Sequence, residues 1–147
     1  DVITPYLVAR QELNLPAELS EKLASRPLKI YEQGTAGIVL STLAKELPDL
    51  TGSIESLPAT AASLLSRIQE EKQLTLAIGS ETDQGISIAL WDGEKGTSQT
   101  LRVGIQNPSL RHGIIAFAAQ DMLRRYLNNE PILGNYETLQ RTAEVIA

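Results

Sequence analysis

The chain has 147 residues, 42% of them hydrophobic, and 13 Lys and Arg against 18 Asp and Glu leave a net charge of −5. The absence of cysteine excludes a disulfide framework, a thiolate nucleophile and any zinc or iron–sulfur site built on sulfur, and a single histidine argues against a His-rich metal site or a Ser-His-Asp triad. The negative balance argues against nucleic-acid binding, which needs a dense basic surface to release counterions, and no apolar run approaches the roughly 20 residues that span a bilayer.

With one Phe, one Trp and four Tyr, the core must be built from Leu, Ile, Val and Ala. The chain begins at Asp1 rather than Met, which suggests a processed chain or an excised domain; with no basic-then-apolar leader, a cytoplasmic location is the default expectation. Residues 1–14 read as an entry segment or a linker from a preceding domain, with Pro5 opening a short strand around Tyr6 and Val8. Leu15 to Ala24 reads as a helix: Pro16 suits its first turn, Leu15, Leu19 and Leu23 recur every four residues, and Pro27 ends it. Leu28 to Tyr31 is a strand, and the turn Glu32–Gly37 feeds an apolar helix from Ile38 to about Leu47, stopped by Pro48.

A short strand around Ile54 precedes a helix from Ala59 to Lys72, with Ala61, Leu64, Leu65 and Ile68 on one face. Leu74 to Ile78 is a strand, Gly79 to Gln84 a polar turn, and Gly85 to Trp91 alternates with period two. Asp92–Gly96, with its Asp-Gly signal, turns the chain into a partner strand, Thr97 to Ile105. Asn107 and Pro108 supply a cap and a first-turn proline for a helix running to Leu127; its uncharged stretch from Gly113 to Ala119 should be buried on most sides. Residues 131–147 read as a C-terminal helical extension of the domain at 15–130, with the helix at Tyr136 to Ile146. Interleaved strands and helices predict a three-layer α/β/α fold with a mixed, mostly parallel sheet of about five strands, including one antiparallel hairpin.

The turn after the first core strand is the leading place for chemistry. A strand-to-helix turn of small residues points backbone N–H groups and the positive end of a helix dipole at a phosphate, carboxylate or oxyanion. The same residues also make a tight turn, with Gly34 taking a positive φ, Thr35 capping the helix and Gly37 allowing close packing. Arg111, at the start of the long helix, reads by itself as a solvated helix end, and His112 beside it is a candidate acid or base. Glu81, Asp83, Asp92 and Glu94 lie in loops with no spacing that fixes two of them on one face; they read as solvated charges. Trp91 reads as packing at a sheet edge. Arg124 and Arg125 complement the dipole at a helix C-terminus, which requires no partner.

Glu32-Gln33-Gly34-Thr35-Ala36-Gly37, preceded by Leu28-Lys29-Ile30-Tyr31 and leading into an apolar helix, resembles the Glu-Ser-Cys-Thr-Gly-Gly signature of the CinA C-terminal domain family, whose members are nicotinamide-mononucleotide deamidases. The similarity extends through the strands Leu74–Gly79 and Gly85–Trp91 to the helix from Arg111 to Leu127, so that it covers roughly Leu15 to Leu127. It implies an amidohydrolase that uses no cofactor and no metal, with Arg111 at a phosphate of a nicotinamide nucleotide. It also implies oligomerisation, here as a homodimer or against a preceding MoaB-like domain.

Three departures weigh against activity. The family's serine nucleophile is replaced by Gln33, whose amide cannot form an acyl intermediate. The segment Thr51 to Thr60 lacks the family's Tyr and Lys, which would lower a hydroxyl pKa. The family's Gly-Pro loop is replaced by Ile78-Gly79-Ser80-Glu81-Thr82-Asp83, where two acids would repel a phosphate. The expectation is a retained fold with a lost site and a structural, self-associating or nucleotide-binding role. Its rivals are an active amidohydrolase using Thr35 or a displaced serine (Ser53, Ser56 or Ser80), and a small-ligand sensor without chemistry.

Overall fold

The computed structural model describes residues 2–3, 17–24 and 26–147. In it, side-chain alternation sorts the central strands between two cores. Residues 17–22 form α1, Leu28–Glu32 β2, Ile38–Ala44 α2, Thr51–Ile54 β3, Ala61–Ile68 α3, Leu74–Ile78 β4, Ile86–Trp91 β5, Gly96–Val103 β6 and Pro108–Leu127 α4. Two-residue strands, β1 at Val2–Ile3 and β7 at Asn135–Tyr136, pair in parallel, and β8 spans Leu139–Ile146. The main sheet has six strands in the order β3-β2-β4-β5-β6-β8.

On one face, Leu28 and Ile30 of β2, Leu74, Leu76 and Ile78 of β4, and Ile86, Ile88 and Leu90 of β5 meet α1, α2 and α4 through Leu19, Leu23, Val39, Leu43, Ile115, Phe117 and Met122. On the other, Tyr31, Ala77, Ala89 and Trp91 pack against Leu64, Leu65 and Ile68 of α3. The layers are therefore α/β/α, as the interleaving of elements predicts. Of the uncharged stretch Gly113–Ala119 in α4, Ile115 to Ala119 are buried as expected and Gly113 and Ile114 half-buried, and the burial continues to Leu123. Burying each large side chain there contributes roughly 1.5–3 kcal/mol.

The sheet differs from expectation in its balance of directions. β2 pairs in parallel with β3 and β4, whereas β4–β5, β5–β6 and β6–β8 are antiparallel. A mostly parallel sheet was expected, and the short turn from Ile78 to Ile86 is too brief for a parallel crossover, so β5 has to return antiparallel. The predicted C-terminal helix at Tyr136–Ile146 is likewise a strand. Residues Leu139 to Ile146 complete the outer ladder of β6, from Val103↔Leu139 to Thr97↔Ile146, where Thr142, Val145 and Ile146 are β-branched. Any helical periodicity there loses to the unpaired N–H and C=O groups that β6 presents.

Smaller adjustments concern helix ends. α3 is shorter than Ala59–Lys72 and starts at its cap, Thr60, whose hydroxyl accepts from Ser63 N at 3.2 Å. α4 begins as expected, with Asn107 accepting from Leu110 N at 3.2 Å and Pro108 at its first position. The strand expected around Tyr6 and Val8, and Leu15 and Pro16 of the first helix, lie outside the described residues. Among the described residues, no helix is long and apolar enough to cross a membrane.

Candidate functional site

β2, β3 and β4 run parallel, so their carboxyl ends lie at one end of the sheet, where ligands of open α/β sheets collect. The turn 33–37, the segment 55–59 and the loop 79–85 all leave the sheet there. Gln33 N donates to Ile78 O at 3.0 Å and Gly34 N to Gly79 O at 2.9 Å, which continues the β2–β4 ladder past the strand. A Cβ on Gly34 would overlap Gly79 O, and one on Gly79 would overlap Pro58 O. The three connections thus meet backbone to backbone. Gly34 is needed for close approach rather than for a positive φ; that conformation falls instead to Gly37, the N-cap of α2, at φ 82°, and to Ala36 at φ 54°. The positive φ predicted for Gly34 is thus found at Gly37, which also allows the close packing expected of it, since a Cβ there would lie 2.9 Å from Ile54 Cδ1.

Gly37 has no side chain with which to cap α2, and a carboxylate from the preceding strand takes over. Glu32, fully buried, accepts from Val39 N at 3.1 Å and from Leu40 N at 2.8 Å, and also receives the hydroxyl of Thr35. The N–H groups and dipole that would attract a ligand anion hold the chain's own carboxylate. Thr35, which the sequence placed at the cap, is fully buried and donates to this side chain instead. Gln33 is also engaged: its Oε1 accepts from Leu57 N at 2.6 Å and ties the turn to the segment after β3. Ala36, on the solvent side, makes the sharp corner.

Arg111 and His112 do come to this end of the sheet, and there they meet an acid the sequence had counted as solvated. Arg111 grips Glu81 through Nε and, at 3.1 Å, through Nη2; its Nη1 donates to Ile105 O at 3.2 Å and Gln106 O at 2.9 Å. His112 Nε2 lies 3.2 Å from Glu81 Oε1. The Arg111 guanidinium holds the Glu81 carboxyl below the usual glutamate range against partial burial, and His112 adds to the effect. A cleft of about 150 Å³ beside them is lined by Asp83, Arg102 and Ile115 as well as by this pair. Glu81 occupies the position at Arg111 that an anionic ligand would need.

The other hydroxyls are accounted for in the same way. Ser53 Oγ donates to Glu55 at 2.6 Å, and Glu55 is paired with Arg67 at 2.8 Å. Among the described residues, no Ser or Thr hydroxyl is hydrogen-bonded to a Lys, Arg or His; Ser56 and Ser80 have no such neighbour either. The Tyr126 hydroxyl accepts from Arg26 Nη2 at 2.9 Å, but it also donates to Asp92 at 3.0 Å and sits at the opposite end of the sheet. Trp91 packs on α3 and donates from Nε1 to Glu71 O at 2.9 Å; Asp92 accepts from Glu94 N and Lys95 N within its turn. Among the described residues, no group of three or more acids and histidines could hold a metal ion.

The most highly charged buried cluster was not anticipated. Asp121 accepts from Arg124 Nε at 3.0 Å and Nη2 at 2.8 Å, from Arg125 Nε at 2.8 Å and from Tyr136 OH at 2.6 Å. Far from lacking a partner, the two arginines share this carboxylate. Burial opposes its charge, but the hydrogen bonds from Tyr136, Arg125 and Arg124 outweigh burial and hold it below the usual aspartate range, while burial raises the Tyr136 phenol. The signal was present as Asp-x-x-Arg-Arg spacing on one helix. No protein-family model matches the chain, and no curated protein matches it.

Proposed function

We propose that the chain is a non-catalytic α/β domain of CinA C-terminal type, whose role is binding or self-association rather than amide hydrolysis. One observation carries this reading: the buried Glu32 takes both the hydroxyl of Thr35 and the first free N–H groups of α2. An acyl-transfer site needs an accessible nucleophile beside a base and donors aimed at a developing oxyanion. At this turn the hydroxyl is out of reach of substrate, the donors are filled, and Gln33 stands where the resemblance would put the attacking oxygen. Glu81 in the grip of Arg111 further opposes a nucleotide phosphate at that arginine. The rival reading, an active amidohydrolase, falls to Ser53, the half-buried hydroxyl that donates to a carboxylate.

The test is incubation with nicotinamide mononucleotide while ammonia is monitored. No release above the protein-free blank is expected. Turnover that disappears in Thr35→Ala or Ser53→Ala would overturn the proposal. A thermal-shift series with pyridine nucleotides separates binding from inertness, because a ligand that prefers the native state raises the melting temperature.

A further inference from the structure

The main sheet ends at β8, an eight-residue strand with no neighbour on its outer side among the described residues. Its partners in β6 show which side chains share a face. Leu139, Arg141, Glu144 and Ile146 stand opposite Val103, Leu101, Gln99 and Thr97, which alternate along β6, so all four point to the face that carries α4. The register shift between Thr100 and Leu101 makes Thr142 the extra residue and keeps Arg141 and Glu144 on this common face, although three positions separate them.

Neither charge has an ionic partner. Arg141 donates from Nε to Gln99 Oε1 at 2.8 Å and from Nη2 to Gly134 O, and forms no ion pair among the described residues. Glu144 is exposed and makes neither an ion pair nor a side-chain hydrogen bond among them. Ile146 is 77% exposed, the most exposed large hydrophobic residue of the chain's described part.

We propose that β8 is a homodimerisation edge, pairing antiparallel with β8 of a second copy about a two-fold axis and extending the sheet through the interface. Placing the axis between Thr142 and Ala143 sets Arg141 of each copy opposite Glu144 of the other, Leu139 opposite Ile146, and Gln140 opposite Val145. Each pair lies on one face, as an antiparallel ladder requires. Charges and a bulge on an edge strand ordinarily prevent pairing with other chains. Here the order of the charges makes β8 self-complementary, and two ion pairs and two apolar pairs form by symmetry. The other edge without a neighbour among the described residues, β3, carries Thr51, Gly52, Ser53 and Ile54 and has no charge to answer Arg141 or Glu144; pairing β3 with β8 would also be head-to-tail and would not close. The proposal rests on the associating role put forward above, but the two fail separately, since ammonia release is read independently of mass.

The test is the mass of the intact chain in solution by sedimentation or light scattering across a concentration series. The wild type is expected to be a dimer in equilibrium with monomer. Glu144→Arg and Arg141→Glu each place like charges opposite one another twice, and each should weaken dimerisation about tenfold or more. An equimolar mixture of the two variants should restore a dimer containing one copy of each, because every like-charge pair becomes an opposite pair. Ile146→Asp, at an exposed position that folding does not need, should weaken the dimer independently, should Arg141→Glu fail to fold. A strictly monomeric wild type, a dimer indifferent to Glu144→Arg and Ile146→Asp, open-ended assembly, or two folded variants that do not recombine would each overturn the proposal.

Discussion

Glu32 and Asp121 are both carboxylates fully excluded from solvent, yet they are satisfied in opposite ways. Glu32 faces a hydroxyl and two backbone N–H groups at the start of α2, and among the described residues no cation pairs with it. Asp121 lies between two guanidinium groups and a phenol, and those same arginines reach Glu130 at 3.1 Å and Pro131 O at 3.2 Å. The first arrangement uses helix polarity to hold a turn against a neighbouring strand. The second uses formal charge to fasten the C-terminal segment onto α4. A buried acid therefore need not mark an active site: in this fold one serves as a helix cap and the other as a clamp.

The largest expected effect comes from removing the clamp. Asp121→Ala removes the buried carboxylate that Arg124, Arg125 and Tyr136 share and should cost about 3–5 kcal/mol in urea denaturation; a loss under 1 kcal/mol would show that other groups serve the arginines as well. Asp121→Asn sharpens the point through pH. Because the folded carboxyl titrates below its unfolded value, its stabilisation is complete above about pH 4 and fades as pH falls through the folded value. The gap between wild type and Asp121→Asn should thus shrink on acidification. A gap that widens would mean that burial, rather than hydrogen bonding, dominates.

Glu32→Gln comes next. It leaves one acceptor oxygen for three donors and removes the charge that complements the helix dipole, so a loss of about 1–3 kcal/mol is expected. Amide exchange should quicken first at Val39 and Leu40. Unchanged exchange there would deny Glu32 its capping role. The smallest effect belongs to the half-exposed pair at the sheet end: Glu81→Gln should change stability by less than about 1 kcal/mol, with most of that difference gone in molar salt. A larger, salt-insensitive loss would place Glu81 with the buried acids.

How much of this was legible depends on the range of the interaction. The β2–turn–α2 unit, the hairpin at Asp92–Gly96 and the cap of α4 by Asn107 were all readable, because glycines, prolines, caps and alternation act within a few residues. The clamp at Asp121 was half readable: Arg124 and Arg125 lie three and four positions away on one helix, but Tyr136 arrives through a bend. The grip of Arg111 on Glu81 was unreadable, since the pair is 30 positions apart and meets only when β4 ends and α4 begins at one side of the sheet. The C-terminal strand was misread for a related reason. Whether Leu139 to Ile146 coils or extends is decided by the unpaired edge of β6, some forty residues earlier.

The sequence by itself determined the alternating strands, the amphipathic α3 and the buried middle of α4, because each follows from side-chain chemistry and local spacing. Only the tertiary structure decided that Glu32 caps α2, that Glu81 fills the grip of Arg111, and that β8 closes one side of the sheet with Arg141 and Glu144 on a shared face. Those outcomes depend on which polar groups remain unsatisfied once the strands have paired, and a linear pattern does not contain that sum.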